Sequence, residues 1–235
     1  MIYVAGGAGI VGSGIVRLLV ESGAKVWVSS RNEASLNILN QSIPDSLKGN
    51  LNTEKTNISN EIECLNLREK IISKSGRIDH VVASIGSFWN KGKLSDQSVD
   101  EFRKVLDDAV TSHFIVYKTF SKILSKQQSS YTFITGGLGE ACFLPDSSLV
   151  TVGASSLYGL YQSALAEHKT NKNFSVNEIR YYMWIRNKMD KEFKSNMEVG
   201  SDWTAKFIPK VILKNKSAQY KILNRKKGDE LFEAL

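Results

Sequence analysis

Few residues of this chain could build a metal centre or a disulfide framework. The 235 residues include two cysteines and three histidines. Cys64 and Cys142 are isolated and lack metal or redox spacing, which predicts a reduced, cytoplasmic setting. The histidines are scattered without a metal-binding pattern, so we expect no metal. No apolar run approaches the roughly 20 residues that span a bilayer, and Met1 leads straight into an apolar segment, so we expect neither a membrane span nor a signal or transit peptide.

The positive charge lacks the arrangement of a nucleic-acid interface. The net charge is +7, with lysines spread over 188–216 and a denser run at 225–227. An interface would group basic residues with aromatic ones on one face. A solvated surface with a basic tail is therefore favoured over nucleic-acid binding.

Apolar segments alternate with segments of helical spacing along the chain. Strands are predicted at 2–5, 25–28, 62–65, 78–83, 131–135, 174–180 and 219–223. Helices are predicted at 12–20, 33–39, 68–73, 100–126 and 148–168, and a long surface loop at 42–60. This order predicts an α/β single-domain Rossmann fold over 1–235, a doubly wound parallel sheet of about seven strands with helices on both faces. Segment 183–215 is predicted to be an insertion on the substrate side.

The segment 5–12, Ala-Gly-Gly-Ala-Gly-Ile-Val-Gly, has the glycine spacing of a dinucleotide-binding turn. Such a turn leads sharply from strand to helix while its backbone approaches a pyrophosphate, and a Cβ there would hold the phosphates away. The N–H groups and the dipole of the helix start then bind the anion. A strand precedes this turn and a helix follows, which favours a dinucleotide site over a tight turn without a ligand.

The end of the second strand predicts which dinucleotide binds. An NAD site usually places an acidic residue about 20 residues beyond the glycines. This chain has Ser29-Ser30-Arg31-Asn32 there, and no carboxylate is expected to oppose Arg31. A charge-assisted hydrogen bond of ~1.5–3 kcal/mol to a 2′-phosphate would favour NADP(H) over NAD(H) by about 10- to 100-fold. The alternative is an exposed arginine at a helix start.

Several stretches together resemble the short-chain dehydrogenase/reductase family over nearly the whole chain. Residues 6–12 are similar to its glycine turn, in the GxxGxxG spacing of extended and atypical branches. Four further stretches resemble segments of the family's sequence pattern. Residues 76–79 and 81–86 resemble its "GxID…LVNNAG" segment, and residues 102–114 resemble "F..VLDVN". Residues 154–167 resemble "SASKAAL.GL..ALA.E", and residues 176–179 resemble "VRVNAI". The resemblance implies an NAD(P)-binding oxidoreductase fold. With the turn, it gives these cofactor-binding residues: Gly6, Ala8, Gly9, Ile10, Val11, Gly12, Ser30, Arg31, Asn32, Asn66, Ala83, Ser84 and Gly86.

The family's catalytic Asn, Ser, Tyr and Lys are replaced where the resemblance places them. The Asn position falls on Ala109, the Ser position on Gly136 or Gly137, Tyr near Val150 and Lys near Ala154. The loss does not depend on register, because residues 132–157 contain no tyrosine and residues 127–168 no lysine. General acid–base catalysis contributes roughly 10²–10⁴-fold, so an ordinary reductase mechanism would be badly weakened. The catalytic residues stay unassigned.

Other side chains could face the same cleft. Tyr158 lies ~12 Å along the helix from the expected tyrosine, too far for the same proton. His113, one turn beyond the Asn position, is expected to be packed rather than catalytic. Tyr181 and Tyr182 follow the sixth strand, where ligands bind, and are expected to line a pocket. Apolar walls are expected from Phe88, Trp89 and Trp184, with core packing as the alternative.

Two functions remain open from the sequence. The first is an NADP(H)-binding protein without the standard catalytic set, acting as a nucleotide-dependent sensor or scaffold, or as an enzyme of altered chemistry, with an unidentified small-molecule substrate or effector. The second is an active NADPH-dependent oxidoreductase that reduces enones, quinones or carbonyls with a nonstandard proton donor. The helices at 100–126 and 148–168 could pair two copies, and the residues that suit either such a homo-oligomer or packing on the sheet are Ala154, Leu157, Leu160, Ala164 and Leu165.

Overall fold

A parallel sheet organises the molecule. The computed structural model describes residues 1–86, 89–187 and 195–235. Its strands are β1 (Ile2–Ala5), β2 (Val26–Ser30), β3 (Leu51–Lys55), β4 (His80–Ala83), β5 (Ser129–Gly136), β6 (Phe174–Tyr181), β7 (Trp184–Arg186), β8 (Glu198–Gly200) and β9 (Gln219–Ile222). Within the described residues, seven of them form one sheet in the order β3-β2-β1-β4-β5-β6-β9, and β7 pairs with β8. All strand pairs in the sheet are parallel.

Helices cover both faces of the sheet. They are α1 (Ile10–Glu21), α2 (Glu33–Gln41), α3 (Glu61–Ser75), α4 (Val99–Leu106), α5 (Ser112–Leu124), α6 (Ser148–Glu167), α7 (Ser201–Ala205), α8 (Phe207–Leu213) and α9 (Arg225–Ala234). Side chains of α1, α2 and α8 form the first hydrophobic core, on one face of the sheet. Those of α3, α5 and α6 form the second core, on the other face. Successive strand residues enter opposite cores, as Tyr3 and Val4 do. The predicted doubly wound α/β fold is confirmed.

The predicted third strand at 62–65 is wrong. That segment begins α3, where Cys64, Leu67 and Ile71 are buried at helical spacing. The third strand is Leu51–Lys55, inside the segment expected to be a loop. Its sequence, Leu-Asn-Thr-Glu-Lys, is polar because β3 is an edge strand whose side chains are only half-buried. An edge strand of this kind lacks the apolar run by which the other strands were predicted.

The helix predicted at 100–126 is divided in two. A π-helical turn, Asp107–Thr111, separates α4 from α5. Such turns insert an extra residue into a helix and occur frequently at functional sites. Ala109, the predicted equivalent of the family's Asn, lies within this turn.

The predicted pairing helices are packed within the chain. Leu157 and Ala164 are buried, while Leu160 and Leu165 contact the second core. Homo-oligomerisation stays a prediction.

The basic run at 225–227 begins α9, where Lys227 pairs with Glu230. Across the described residues, no helix is long and apolar enough to pass through a bilayer.

Candidate functional site

The glycine turn packs too closely against its surroundings for side chains. Gly6 has φ +75°, and a Cβ on it would overlap the carbonyl oxygen of Ser84, in the loop after β4. A Cβ on Gly12 would overlap the carbonyl oxygen of Gly6. The turn therefore holds the start of α1 against the carboxyl end of the sheet. Among the residues that the structure describes, no side chain caps Gly9, and the first turn of α1 holds no acidic residue, so this helix start can accept an anion.

A cavity lined mostly by polar residues, the polar cavity, opens beside the turn. Its volume is about 320 Å³. The turn forms one wall, the ends of β2 and β3 a second, and the residues following β4 a third, with Asp108 and Ser112 from the π-helical turn and α5 closing it. It therefore lies outside the carboxyl ends of the strands, where dinucleotides bind in open α/β sheets.

Most of the predicted cofactor-binding residues meet at this cavity or at its neighbour. Those lining the polar cavity are Gly6, Ala8, Gly9, Ser30, Arg31, Asn32, Ser84 and Gly86. The remaining turn residues Ile10, Val11 and Gly12 line a second, adjoining cavity, which Gly9, Ser84 and Gly86 also line.

Two of the predicted residues lie elsewhere. Asn66 is exposed on α3, because the strand that was expected to precede it is part of that helix. Asn57, two residues beyond the true β3, lines the polar cavity instead, with Ile58 and Ser59. Ala83 is fully buried at the end of β4 and packs in the second core. The position of Asn57 could be found only once the polar segment Leu51–Lys55 was recognised as a strand.

A carboxylate opposes Arg31, contrary to the sequence prediction. Its Nη1 donates a hydrogen bond to Oδ1 of Asp108 at 2.7 Å. Lys104 also donates to Asp108, at Oδ2, over 3.2 Å. These two cations hold the pKa of Asp108 below its usual range, although partial burial acts in the opposite direction. The carboxylate comes from a segment 77 residues away, so the local sequence gave no sign of it.

A second cavity, the apolar cavity, adjoins the first and has a volume of about 530 Å³. Gly9, Ser84, Ile85, Gly86 and Asp108 line both cavities. Apolar side chains form most of the remaining wall, namely Ile10, Trp89, Val105, Leu138, Met183 and Ile185. Trp89 therefore confirms the predicted apolar wall. Trp184 is half-exposed and is not part of this lining; Phe88 and 188–194 of the predicted insertion lie outside the described residues.

The positions where the resemblance places the family's catalytic residues also face the apolar cavity. Ala109, Val150 and Ala154 all line it, as does Gly136. A Cβ on Gly137, the other residue considered for the Ser position, would overlap the ring of Tyr182. Among the described residues of the lining, Asp108 and Tyr181 are the titratable ones.

The side chains considered as substitute proton donors are held by other groups. Tyr181 donates its hydroxyl proton to the carbonyl oxygen of Thr204 at 2.7 Å, and burial raises its pKa. Tyr182 donates to Glu140 at 2.6 Å, and Tyr158 donates to the carbonyl oxygen of Gly136 at 2.6 Å. Neither Tyr182 nor Tyr158 lines the apolar cavity.

His113 is packed in the core, as expected. It is fully buried, stacks on Phe133 with ring centroids 6.3 Å apart, and its Nδ1 lies 2.6 Å from the carbonyl oxygen of Ala109. Burial lowers the pKa of His113 to about 4, so the imidazole is neutral at pH 7.

A buried ion cluster supports the wall behind Gly136. Glu178 is fully buried on β6 and accepts hydrogen bonds from Arg180 and from Thr135. The Arg180 guanidinium lies 3.3 Å from the centre of the Tyr158 ring and also donates to Glu140. This cluster holds Tyr158 against the sheet and away from the apolar cavity.

Comparison with known proteins identifies the family. The family model described as enoyl-(acyl carrier protein) reductase matches residues 4–217. The chain therefore belongs to the short-chain dehydrogenase/reductase family.

Individual relatives match part of the chain in sequence and nearly all of it in structure. The 3-oxoacyl-[acyl-carrier-protein] reductase FabG of Rickettsia prowazekii is 33% identical over 147 residues, 59% of this chain and 56% of that protein. The short-chain dehydrogenase/reductase fsr5 of Gibberella fujikuroi is 30% identical over 151 residues, with the same coverage of 59% and 56%. The chain thus spans little more than half the length of these curated relatives.

Two solved structures share the fold. ElxO with NADP bound has a TM-score of 0.80 at 17% identity, covering 94% of this chain and 96% of its own. A short-chain type dehydrogenase/reductase from Mycobacterium ulcerans has a TM-score of 0.81 at 20% identity, covering 97% and 89%.

Proposed function

We propose that this protein binds NADP(H) across the two cavities and lacks the standard proton-transfer machinery of its family. The observation that carries the proposal is the lining of the apolar cavity. It begins at the glycine turn, yet Ala109, Val150 and Ala154 stand where the resemblance places Asn, Tyr and Lys. The dinucleotide would place its pyrophosphate at the start of α1 and its adenosine in the polar cavity. ElxO, which has the same fold, has been solved with NADP bound, which supports dinucleotide binding by this fold.

The chemistry of the apolar cavity favours a nucleotide-dependent sensor or scaffold, or an enzyme of altered chemistry. A general acid must lie within hydrogen-bond reach of the reacting atom and have a pKa suited to the operating pH. Of the titratable residues described in the lining, Tyr181 is bonded to Thr204, and the pKa of Asp108 is held low by its cations. Neither suits proton donation near pH 7.

An oxidoreductase that needs little proton assistance is the second candidate. A cavity of about 530 Å³, mostly apolar and continuous with the turn, would hold an apolar substrate beside the nicotinamide. Hydride transfer is the chemistry that the cofactor supplies, and the chain's own residues would position the substrate and exclude water. Met183 and Ile185 would form the substrate side, consistent with an insertion at 183–215. The Rickettsia prowazekii relative is named a reductase, which supports this candidate.

The preference for NADP(H) is also proposed, and it rests on Arg31. The guanidinium lines the polar cavity, and its side chain is 61% exposed, so a 2′-phosphate could reach it. Arg31→Ala should weaken NADPH binding by about 10-fold or more and leave NADH binding nearly unchanged. Equal losses for both nucleotides, measured by calorimetry, would contradict this role.

The decisive experiment joins a binding titration to a turnover assay. NADPH and NADH are titrated by fluorescence, and NADPH oxidation is then followed with carbonyls, enones and quinones. Tight NADPH binding without turnover supports the sensor or scaffold, whereas turnover with enones or quinones supports the oxidoreductase. Absence of binding by either nucleotide would refute the cofactor proposal.

A glycine variant tests whether the nucleotide lies at the start of α1. Within the described part of the chain, a Cβ on Gly9 would meet one atom, the carbonyl oxygen of Gly6 at 3.3 Å. It would stand at the helix start that faces both cavities. Gly9→Ala should therefore retain the fold and weaken NADPH binding by about 10-fold. Unchanged affinity in a folded Gly9→Ala variant would place the nucleotide elsewhere.

A further inference from the structure

Asp108 stands between two cations, and one of them belongs to the proposed cofactor site. Its Oδ1 accepts from Arg31 at 2.7 Å and its Oδ2 accepts from Lys104 at 3.2 Å. Arg31 and Asp108 both line the polar cavity, whereas Lys104 is not among the described residues that line either cavity. The Asp108 side chain is 18% exposed, so this carboxylate is partly shielded from water.

We propose that Asp108 is a specificity-determining residue, which competes with a ribose 2′-phosphate for Arg31 while Lys104 holds the carboxylate once Arg31 has left it. This inference rests on the proposed NADP(H) site. It concerns how strongly that site distinguishes NADP(H) from NAD(H).

The competition follows from the charges. A 2′-phosphate that reaches Arg31 also comes close to the carboxylate already bound there, and the two anions repel each other. The favourable arrangement moves the guanidinium to the phosphate and leaves Asp108 with a cation of its own. NAD(H) carries an uncharged hydroxyl at the same position, so its binding leaves the ion pair between Arg31 and Asp108 in place.

Lys104 is positioned to complete this exchange. It precedes Asp108 by four residues on the same helical segment, so the pair stays within reach wherever the Arg31 side chain moves. Lys104 would therefore support NADP(H) binding without touching the nucleotide. Its role is to neutralise Asp108 in the bound state.

The test is a double-mutant cycle read by calorimetric titration with NADPH and with NADH. Asp108→Asn frees Arg31, and the NADPH dissociation constant should fall by about two- to fivefold, the range measured for partly exposed ion pairs. Lys104→Gln should raise it by a similar factor. The NADH constant should change by less than about twofold in both variants, and the Lys104→Gln effect should disappear in the Asp108→Asn background.

A matched lysine separates this exchange from the general loss of positive charge. Lys118 on α5 pairs with Glu61 at 2.6 Å, and its side chain is 48% exposed, compared with 61% for Lys104. Lys118→Gln should leave both nucleotide constants unchanged.

The outcomes distinguish this inference from the function on which it rests. If the wild-type protein binds NADPH but Asp108→Asn shifts NADPH and NADH equally, the ion pair is a structural strap and the inference is overturned. Lys104→Gln weakening NADPH equally in both backgrounds would also overturn it, and in both cases the NADP(H) site would stand. If the wild-type protein binds neither nucleotide, the proposed function fails and the inference fails with it.

Discussion

The ring of Tyr182 lies directly against Gly137, so that a Cβ on the glycine would overlap the ring carbons. The Tyr182 hydroxyl donates to Glu140 at 2.6 Å, which holds the ring in place. At Gly136, one residue earlier, no atom of the described, non-neighbouring residues lies within 4 Å of the position that a Cβ would take. Of the two residues considered for the family's Ser position, Gly136 therefore has room for a side chain, whereas the ring of Tyr182 occupies the space beside Gly137.

The first prediction compares serine at these two neighbouring glycines. Gly137→Ser must displace the Tyr182 ring and should lower the free energy of unfolding by about 1–3 kcal/mol. Gly136→Ser should change it by less than about 0.5 kcal/mol, because the space there is open. Urea denaturation measures both. Equal stabilities of the two variants would show that the ring moves aside without cost.

The second prediction introduces Tyr and Lys at the positions where the resemblance places them. Val150 and Ala154 are one helical turn apart on α6, and both line the apolar cavity. Val150→Tyr with Ala154→Lys should raise NADPH-dependent reduction of a carbonyl panel by about tenfold or more, within the roughly 10²–10⁴-fold available to general acid–base catalysis.

The control for that reconstruction fills the same volume without titratable groups. Val150→Phe with Ala154→Met should leave turnover at the wild-type level. If both double variants behave alike in assays matched for NADPH binding, the absence of Tyr and Lys does not limit turnover.

The third prediction concerns acid stability. Burial lowers the pKa of both His113 and His80 to about 4, from 6.5. Between those pH values the unfolded chain binds more protons than the native one, so the free energy of unfolding falls as the pH falls from 6.5 towards 4. Each histidine contributes up to about 1.4 kcal/mol per pH unit. Urea unfolding at pH 7, 6 and 5 measures the slope.

Single variants assign that slope to its source. His113→Phe keeps an aromatic ring against Phe133 and should remove about half of the pH dependence between 6.5 and 5. His80→Gln should remove a similar share, so the assignment survives if one variant fails to fold. A free energy of unfolding that stays constant from pH 7 to 5 would mean that neither imidazole is held neutral by burial.

The fourth prediction concerns the buried ion pair behind the apolar cavity. Glu178 is fully buried, and Arg180 on the same strand is 4% exposed. Glu178→Gln leaves the guanidinium without its buried counter-charge and should cost about 3–5 kcal/mol. Glu230→Gln removes an exposed partner of Lys227 on α9 and should cost far less, because water screens that ion pair. Similar losses in the two variants would show that water reaches the Glu178 carboxylate.

The local pattern of apolar residues predicted the helices and strands that bury many of their side chains. Strand β6 is buried along its whole length, and α6 buries residues at helical spacing, so both were found nearly to their ends. Strand β3 was missed because an edge strand can be polar. The sequence therefore predicted Asn66 at this site, whereas Asn57 is the asparagine after β3 that lines the polar cavity. The prediction of Asn66 for the site thus depended on the position of one strand.

The fold class and the glycine turn could be predicted from the amino-acid sequence alone, which also predicts that the family's catalytic Tyr and Lys are replaced. These features depend on residues close together in the chain, where periodicity and backbone freedom act. The packing of distant segments brings Asp108 to Arg31 across 77 residues and places the ring of Tyr182 in the space beside Gly137. Such contacts depend on how the carboxyl ends of separate strands are brought together by packing, and no local pattern records that distance.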